Sequence, residues 1–140
     1  MTSFDTIYIV TLSIFNSKNE LLLVRKKGSE FFQLPGGKKK EGEEDLKVIQ
    51  REISEELSLD SSTLSINWLG EHRAVAVNEA NTYVVGRMYI SEENDNLAPK
   101  IDNEIEEWMW VSPNNYQSIK WAHLVKEFVY PIWAKKNDVI

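Results

Sequence analysis

Residues 37–59 read Gly37-Lys38-Lys39-Lys40-Glu41-Gly42-Glu43-Glu44-Asp45-Leu46-Lys47-Val48-Ile49-Gln50-Arg51-Glu52-Ile53-Ser54-Glu55-Glu56-Leu57-Ser58-Leu59. Leu46, Ile49, Ile53 and Leu57 recur at helical spacing, with no Gly or Pro between them, which predicts one amphipathic helix over Glu43–Leu57. Glu52, Glu55 and Glu56 stand at i, i+3 and i+4, so they are neighbours on one side of that helix. Glu52 and Glu56 lie nearest the apolar stripe and are expected to be partly buried at its edge. Like charges so placed repel, and the repulsion grows as water is removed. Arg51 stands one turn before Glu55, and this i, i+4 pair is expected to neutralise one carboxylate. The remaining carboxylates suit a hard divalent cation, which takes oxygen ligands, waters and substrate phosphates. The bland alternative is a solvated glutamate-rich face. Against it, the carboxylates crowd the C-terminal half of the helix, where the helix dipole disfavours anions.

Immediately upstream, Pro35-Gly36-Gly37 breaks regular structure. Glycine lets the backbone approach a ligand closely, so a carbonyl there is a candidate to complete a metal shell. Further outward, Thr6–Phe15 is rich in β-branched and aromatic residues and reads as a strand. Asn16–Asn19 is a turn cluster, and Glu20–Lys26 reads as the second strand of a hairpin. Leu64–Leu69, Thr82–Ile90 and Glu107–Val111 read as further strands. The tail, about Tyr116–Lys136, has helical spacing that Pro131 should kink or split. Strands and helices mix without βαβ alternation, which predicts a mixed or antiparallel sheet packed by helices.

The chain has 140 residues, so one domain over 1–140 is expected. The net charge of -6 argues against general nucleic-acid binding, which needs a basic footprint. It does not exclude a phosphate substrate, because bound cations invert the local field. With no cysteine, thiolate catalysis and cysteine zinc sites are excluded. No apolar run approaches the ~20 residues of a membrane span. The opening residues lack a signal-peptide pattern, so a cytoplasmic location is expected.

The quoted stretch resembles the Nudix box: Gly, five residues, Glu, seven residues, Arg-Glu, an aliphatic, any residue, Glu-Glu, any residue, Gly, an aliphatic. Gly37, Glu43, Arg51, Glu52, Ile53, Glu55, Glu56 and Leu59 match, and only Ser58 departs, standing where the family has glycine. Leu34-Pro35-Gly36-Gly37, and the acidic residues 104–107 before Trp110-Val111, extend the likeness. The resemblance implies an α+β fold (α/β in the broad sense), an α/β/α sandwich whose mixed sheet lies between helices. It implies hydrolysis of a diphosphate linkage in a nucleotide-like small molecule, with Mg²⁺ or Mn²⁺ as cofactor. Glu52 and Glu56 would be metal ligands, Glu55 a further ligand or base, and the Gly36 carbonyl a member of the shell. Arg51 would hold the carboxylates and Glu43 orient a neighbour. Glu104 would complete the site, with Asp102, Glu106 and Glu107 as rivals. Arg25, Gly37 and Lys38 are candidates for substrate binding, and Arg73 and Arg87 weaker ones. Phe31, Phe32 and Tyr83 suit core packing better than base stacking. His72 and His123 match no zinc spacing. The resemblance also admits a homodimer, with Trp121 and Trp133 as candidates for its surface. A catalytically silent nucleotide-binding or sensor module is the alternative. At Ser58, a left-handed helix end would cost serine roughly 1 kcal/mol.

Overall fold

The computed structural model describes residues 3–139. β1 (Asp5–Ile14) alternates Val10, Leu12 and Ile14 on one face with Ile7, Ile9 and Thr11 on the other. It is central because it is paired on both sides, parallel to β6 (Thr82–Ser91) and antiparallel to the short β4 (Gly36–Lys38). β6 pairs antiparallel with β5 (Asn67–Val75), giving a first sheet of order β4-β1-β6-β5. A second sheet has order β7-β2-β3-β8, from β2 (Leu21–Lys26), β3 (Phe31–Gln33), β7 (Ile105–Val111) and β8 (Lys120–Trp121). Both sheets mix parallel and antiparallel pairs, as the sequence implied, but there are two of them.

The expected β1–β2 hairpin is not formed. Among the described residues the two segments pair only through the isolated Phe15–Leu21 bridge just after β1, and the strands belong to different sheets. The reason is visible in β2 itself: Leu21, Leu22, Leu23 and Val24 are all fully buried. A continuous apolar run needs cover on both faces, which a two-stranded ribbon cannot supply. Leu22 and Val24 pack toward the first helix, α1 (Asp45–Leu57), whereas Leu21 and Leu23 join the opposite core with the C-terminal segment. The sheets therefore lie between helices on both sides, an α/β/α sandwich.

α1 starts at Asp45 rather than Glu43, with Glu44 as its N-cap. Its buried stripe is Val48, Ile49, Ile53 and Leu57, while Leu46 is 55% exposed. Asp45 takes the inward place in the first turn that the periodicity gave to Leu46. It accepts hydrogen bonds from Lys39 (2.9 Å), Arg87 (2.6 Å) and Tyr89 (2.6 Å). Strand β5 begins at Asn67, later than expected, because 61–63 form a 3₁₀ turn capped by the Asp60 carboxylate.

The tail is not one helix. A 3₁₀ turn at Tyr116–Ser118 and strand β8 precede a π-helical turn at Val125–Val129 and α2 (Tyr130–Lys136). Pro131 sits in the first turn of α2, as its missing N–H requires. The widened turn before it, closed by Tyr130 N–H to Val125 O, leaves room for its ring. The tryptophans proposed for a dimer surface lie inside. Trp133 is 0% exposed and Trp121 is buried, and their indole N–H groups donate to Val111 O (3.0 Å) and Tyr116 O (3.1 Å). Large aromatic rings with a satisfied N–H favour the core, so neither residue marks an outer surface.

α1 ends at Ser58 in the left-handed conformation (φ 56, ψ 35), its N–H donating to Ser54 O at 3.1 Å. Serine carries a Cβ into a geometry that glycine adopts freely. Ser58→Gly is therefore expected to raise the unfolding free energy by about 1 kcal/mol, read as a higher urea midpoint at unchanged slope.

Candidate functional site

The site is built where β4 meets α1. Gly36 has φ 148, and a Cβ there would overlap the Val10 carbonyl oxygen. A Cβ on Gly37 would overlap the Glu52 carboxyl group. Two glycines in succession thus let β4 lie flush against both β1 and α1. The Gly36 N–H donates to Glu56 Oε1 at 3.0 Å, deep in the protein, where Glu56 is only 2% exposed. Glu56 Oε2 is buried and has no hydrogen-bond partner among the described residues.

Arg51 spans the approach. Its Nη2 and Nε donate to the two oxygens of Glu43 (2.9 and 3.2 Å), and its Nη1 donates to Glu52 Oε1 at 2.7 Å. It also reaches the Lys38 carbonyl oxygen at 3.3 Å. The expected Arg51–Glu55 pair is absent among the described residues. Glu43, eight residues back in the loop, offers a two-oxygen acceptor that matches the guanidinium fork, and Glu55 is left exposed. Glu43 in turn accepts the Lys40 N–H at 3.1 Å, closing the loop.

Burial pushes the Glu56 carboxyl up to about 8, against the opposing pull of the Gly36 N–H and the charge of Lys26, and Glu52 and Glu104 push it the same way as burial. Burial also raises Glu52, more than Arg51 lowers it, with Glu55 adding to the rise. The hydrogen bond from Arg51 holds Glu43 below the ordinary carboxylate range. Among the described residues no three carboxylate or imidazole side chains converge on one point to hold an ion. Arg51 draws Glu52 toward Glu43, and Glu55 stays in solvent. The donor chemistry nevertheless fits a hard cation. Glu56 offers an unmet buried oxygen, Glu52 is crowded by like charge, and Glu104 is close enough to act on Glu56.

Beside these carboxylates runs a cleft of about 180 Å³, lined by Gly36, Gly37, Lys26 and Lys38 and, on its apolar walls, by Ile7, Ile9, Val84 and Leu124. Gly36, Gly37, Lys38, Arg51, Glu43, Glu52 and Glu56 are thus brought together as the sequence predicted, with Glu104 nearby. Arg25 is not on the cleft. It is tied to Glu107 (3.2 Å) and donates to Ser29 O (3.0 Å), which also removes Glu107 as a rival to Glu104. The cation that reaches the carboxylates is its neighbour Lys26, which the sequence reading missed. The signal was the two-residue period of β2, since Lys26 shares a face with Leu22 and Val24, which pack toward α1. Arg87 is taken by Asp45 and stacks on Trp68, and Arg73 lies over Tyr83 at 4.4 Å. Phe31, Phe32 and Tyr83 do not line the cleft, and Phe32 is core. His72 bonds Glu127 at 2.8 Å, and His123 Nδ1 lies 2.8 Å from Val75 O.

A glutamate-bearing helix held behind a glycine strand, between sheets that are themselves sandwiched by helices, defines the Nudix class of architecture. The sequence profile of the NUDIX domain matches residues 6–130, and the chain belongs to that family. It is 26% identical over 117 residues to the RNA pyrophosphohydrolase of Ruthia magnifica subsp. Calyptogena magnifica, covering 73% of this chain and 65% of that protein. It is 39% identical over 62 residues to the 8-oxo-dGDP phosphatase NUDT18 of Danio rerio, covering 42% of this chain and 19% of that one. The chain thus spans less than two thirds of these relatives. Among solved structures, the E. coli dihydroneopterin triphosphate pyrophosphohydrolase superposes with TM-score 0.70 at 12% identity, over 92% of this chain and 99% of that chain. A C. elegans Ap4A hydrolase superposes with TM-score 0.70 at 16% identity, over 93% of each. At such identities the structures establish the shared fold.

The raised Glu56 carboxyl has a consequence for stability. The folded chain binds this proton more tightly than the unfolded chain, whose ordinary value is 4.5. Its contribution is complete below that value and is lost as pH rises toward about 8. Glu52 acts with the same sign. In chelator, the melting temperature is expected to fall across this window, and Glu56→Gln should flatten the fall. A wild-type curve that rises there would contradict the assignment.

Proposed function

We propose that this chain is a Nudix pyrophosphohydrolase that uses water to split a diphosphate linkage in a nucleoside diphosphate derivative. The observation that carries the reading is the unmet, buried Glu56 Oε2 beside Glu52, at the edge of a cleft whose rim holds Lys26 and Lys38. Glu52 and Glu56 would hold Mg²⁺ or Mn²⁺, with Glu55 as a further ligand and the Gly36 carbonyl as a backbone one. A divalent ion there supplies neutralisation of the diphosphate and a more acidic water.

The chain's own groups do the rest. Gly36 N–H fixes one Glu56 oxygen, so the other has a set direction. Arg51 restrains Glu52 and, through Glu43 and the Lys38 carbonyl, locks the loop to the helix. Lys26, Lys38 and the backbone of Gly37, all on the cleft wall, would meet substrate phosphates. Glu55, exposed and without a hydrogen bond or ion pair among the described residues, is free to accept a proton from the attacking water, and Glu104 is the other candidate. Substrates of this class include nucleoside triphosphates, nucleotide sugars and ADP-ribose, and the names of the relatives fall within it. The intact carboxylate set disfavours a silent sensor module.

The test is a panel of nucleoside triphosphates, dinucleoside polyphosphates, ADP-ribose and nucleotide sugars with Mg²⁺ or Mn²⁺. Hydrolysis is expected for at least one compound, with Glu56→Gln and Glu55→Gln each lowering kcat by about 100-fold or more. Full activity in Glu55→Gln would move the base to Glu104. Ion binding without turnover on any compound would favour the sensor module.

A further inference from the structure

We propose that this chain forms a twofold dimer by pairing the edge strand β5 with the same strand of a second copy, centred on His72. β5 is the outer strand of the first sheet, and among the described residues β6 is its only strand neighbour. An outer strand carries backbone N–H and C=O groups that face away from its sheet, and these are a template for one more strand.

Two bonds at the end of the strand show which groups face outward. Ala76 N–H donates to Thr82 O at 2.9 Å, so the even-numbered residues turn their N–H and C=O groups toward β6. The Val75 carbonyl points the other way and lies 2.8 Å from His123 Nδ1, which donates to it because a carbonyl only accepts. Glu71 and Arg73 share the direction of Val75. His123 closes one end of this edge, and the bulge between Trp68 and Gly70 breaks the regular ladder at the other. The segment left open is Glu71-His72-Arg73. No other segment among the described residues bonds to its outward backbone groups.

That segment is complementary to itself. Antiparallel pairing about a twofold axis at His72 sets Glu71 opposite the partner's Arg73, and Arg73 opposite the partner's Glu71. These are the hydrogen-bonded positions of the ladder, so the outward N–H and C=O of both residues are met in both copies. The side chains of Glu71 and Arg73 lie on one face of the sheet, so carboxylate and guanidinium meet across the axis. Arg73 is exposed and has no ion pair among the described residues, only the Tyr83 ring at 4.4 Å. Glu71 holds Arg87 through one oxygen at 3.2 Å, which leaves the other for a second cation. His72 points to the opposite face, where Glu127 (2.8 Å) and the Phe128 ring hold it clear of these pairs.

Edge strands are commonly protected by charge, and a run of like charges would repel a copy. Opposite charges two residues apart attract one instead, and twofold symmetry guarantees the match for a second copy of this chain. The same pairing brings the Val75 end of each strand against the Trp68 end of the other. Val75 and Trp68 are 45% and 50% exposed, and covering them favours association. The paired span is short, so the dimer is weak and depends on concentration.

The test is sedimentation equilibrium of the full chain from about 1 to about 300 μM, a range that brackets a weak dimer. Monomer should convert to dimer across that range, with no larger species. Arg73→Glu sets glutamate against glutamate at both pairs and should weaken the dimer roughly tenfold or more. Glu71→Arg should do the same with arginines. A mixture of the two variants restores both opposite-charge pairs, and it should form the dimer that neither variant forms alone. Both positions are exposed, and melting temperatures check that the variants fold. Should Glu71→Arg fail to fold beside Arg87, hydrogen exchange of the wild type decides the case, since the amides of Glu71 and Arg73 should slow as concentration rises. A wild type that stays monomeric, a dimer that Arg73→Glu leaves intact, assembly beyond the dimer, folded variants that stay monomeric when mixed, or unchanged exchange at these amides in the dimer would overturn the proposal.

Discussion

The Gly36 N–H bond to Glu56, together with the close approach of Gly37 to Glu52, couples a three-residue strand to a thirteen-residue helix, and most of the site depends on that clasp. Neither glycine tolerates a side chain. One is pressed on the Val10 carbonyl and the other on a carboxylate. Because β4 pairs with β1, the clasp also sets the carboxylates relative to the first sheet, and hence to the cleft that sheet helps to line.

Placing a carboxylate where only 2% of the residue is exposed is unfavourable, and the upward displacement of Glu56 reflects that cost. A fold optimised only for stability would put a hydrophobic residue there, continuing the stripe of Ile49, Ile53 and Leu57. Arg51 compensates part of the local charge, but by way of Glu43 and Glu52 rather than Glu56. The uncompensated oxygen is what makes the helix face more than a solvated run of glutamates. A similar device works with the opposite outcome at the other end of α1. Burial raises Asp45 too, yet Tyr89, Lys39 and Arg87 outweigh it and hold the carboxyl at about 2, so that group is an anchor and not an open ligand.

The separation of β1 and β2 into two sheets makes room for a cleft. A hairpin would have placed them edge to edge, whereas the split leaves the first sheet facing the π-helical turn across a gap. The turn after β2 then folds back so that Ser29 meets Asn78 from the β5–β6 turn, joining the two sheets through side chains. Lys26, which has no ion pair among the described residues, and the pinned Ser29 are products of one short stretch of chain, fastened by the Arg25–Glu107 pair.

The elements of the box were legible because their physics is local. Helical spacing, the i, i+3, i+4 grouping of Glu52, Glu55 and Glu56, and the two glycines are properties of neighbouring residues, and α1 and its left-handed end at Ser58 followed, whereas the clasp, which joins residues twenty apart, did not. The partners of Arg51 and Arg25, the sheet to which β2 belongs and the burial of Trp121 and Trp133 were not legible. Each is decided by chain segments far apart in sequence, and several candidate partners of equal chemistry were available. Arg51 had glutamates at 43, 52 and 55 to choose from, and loop geometry selected two. Sequence alone therefore determined which chemical groups the protein has and that a helix would hold three of them together. Tertiary structure decided which carboxylate is buried without a partner and which cation reaches it, because burial and long-range pairing depend on how two sheets pack and not on the spacing of residues along one strand.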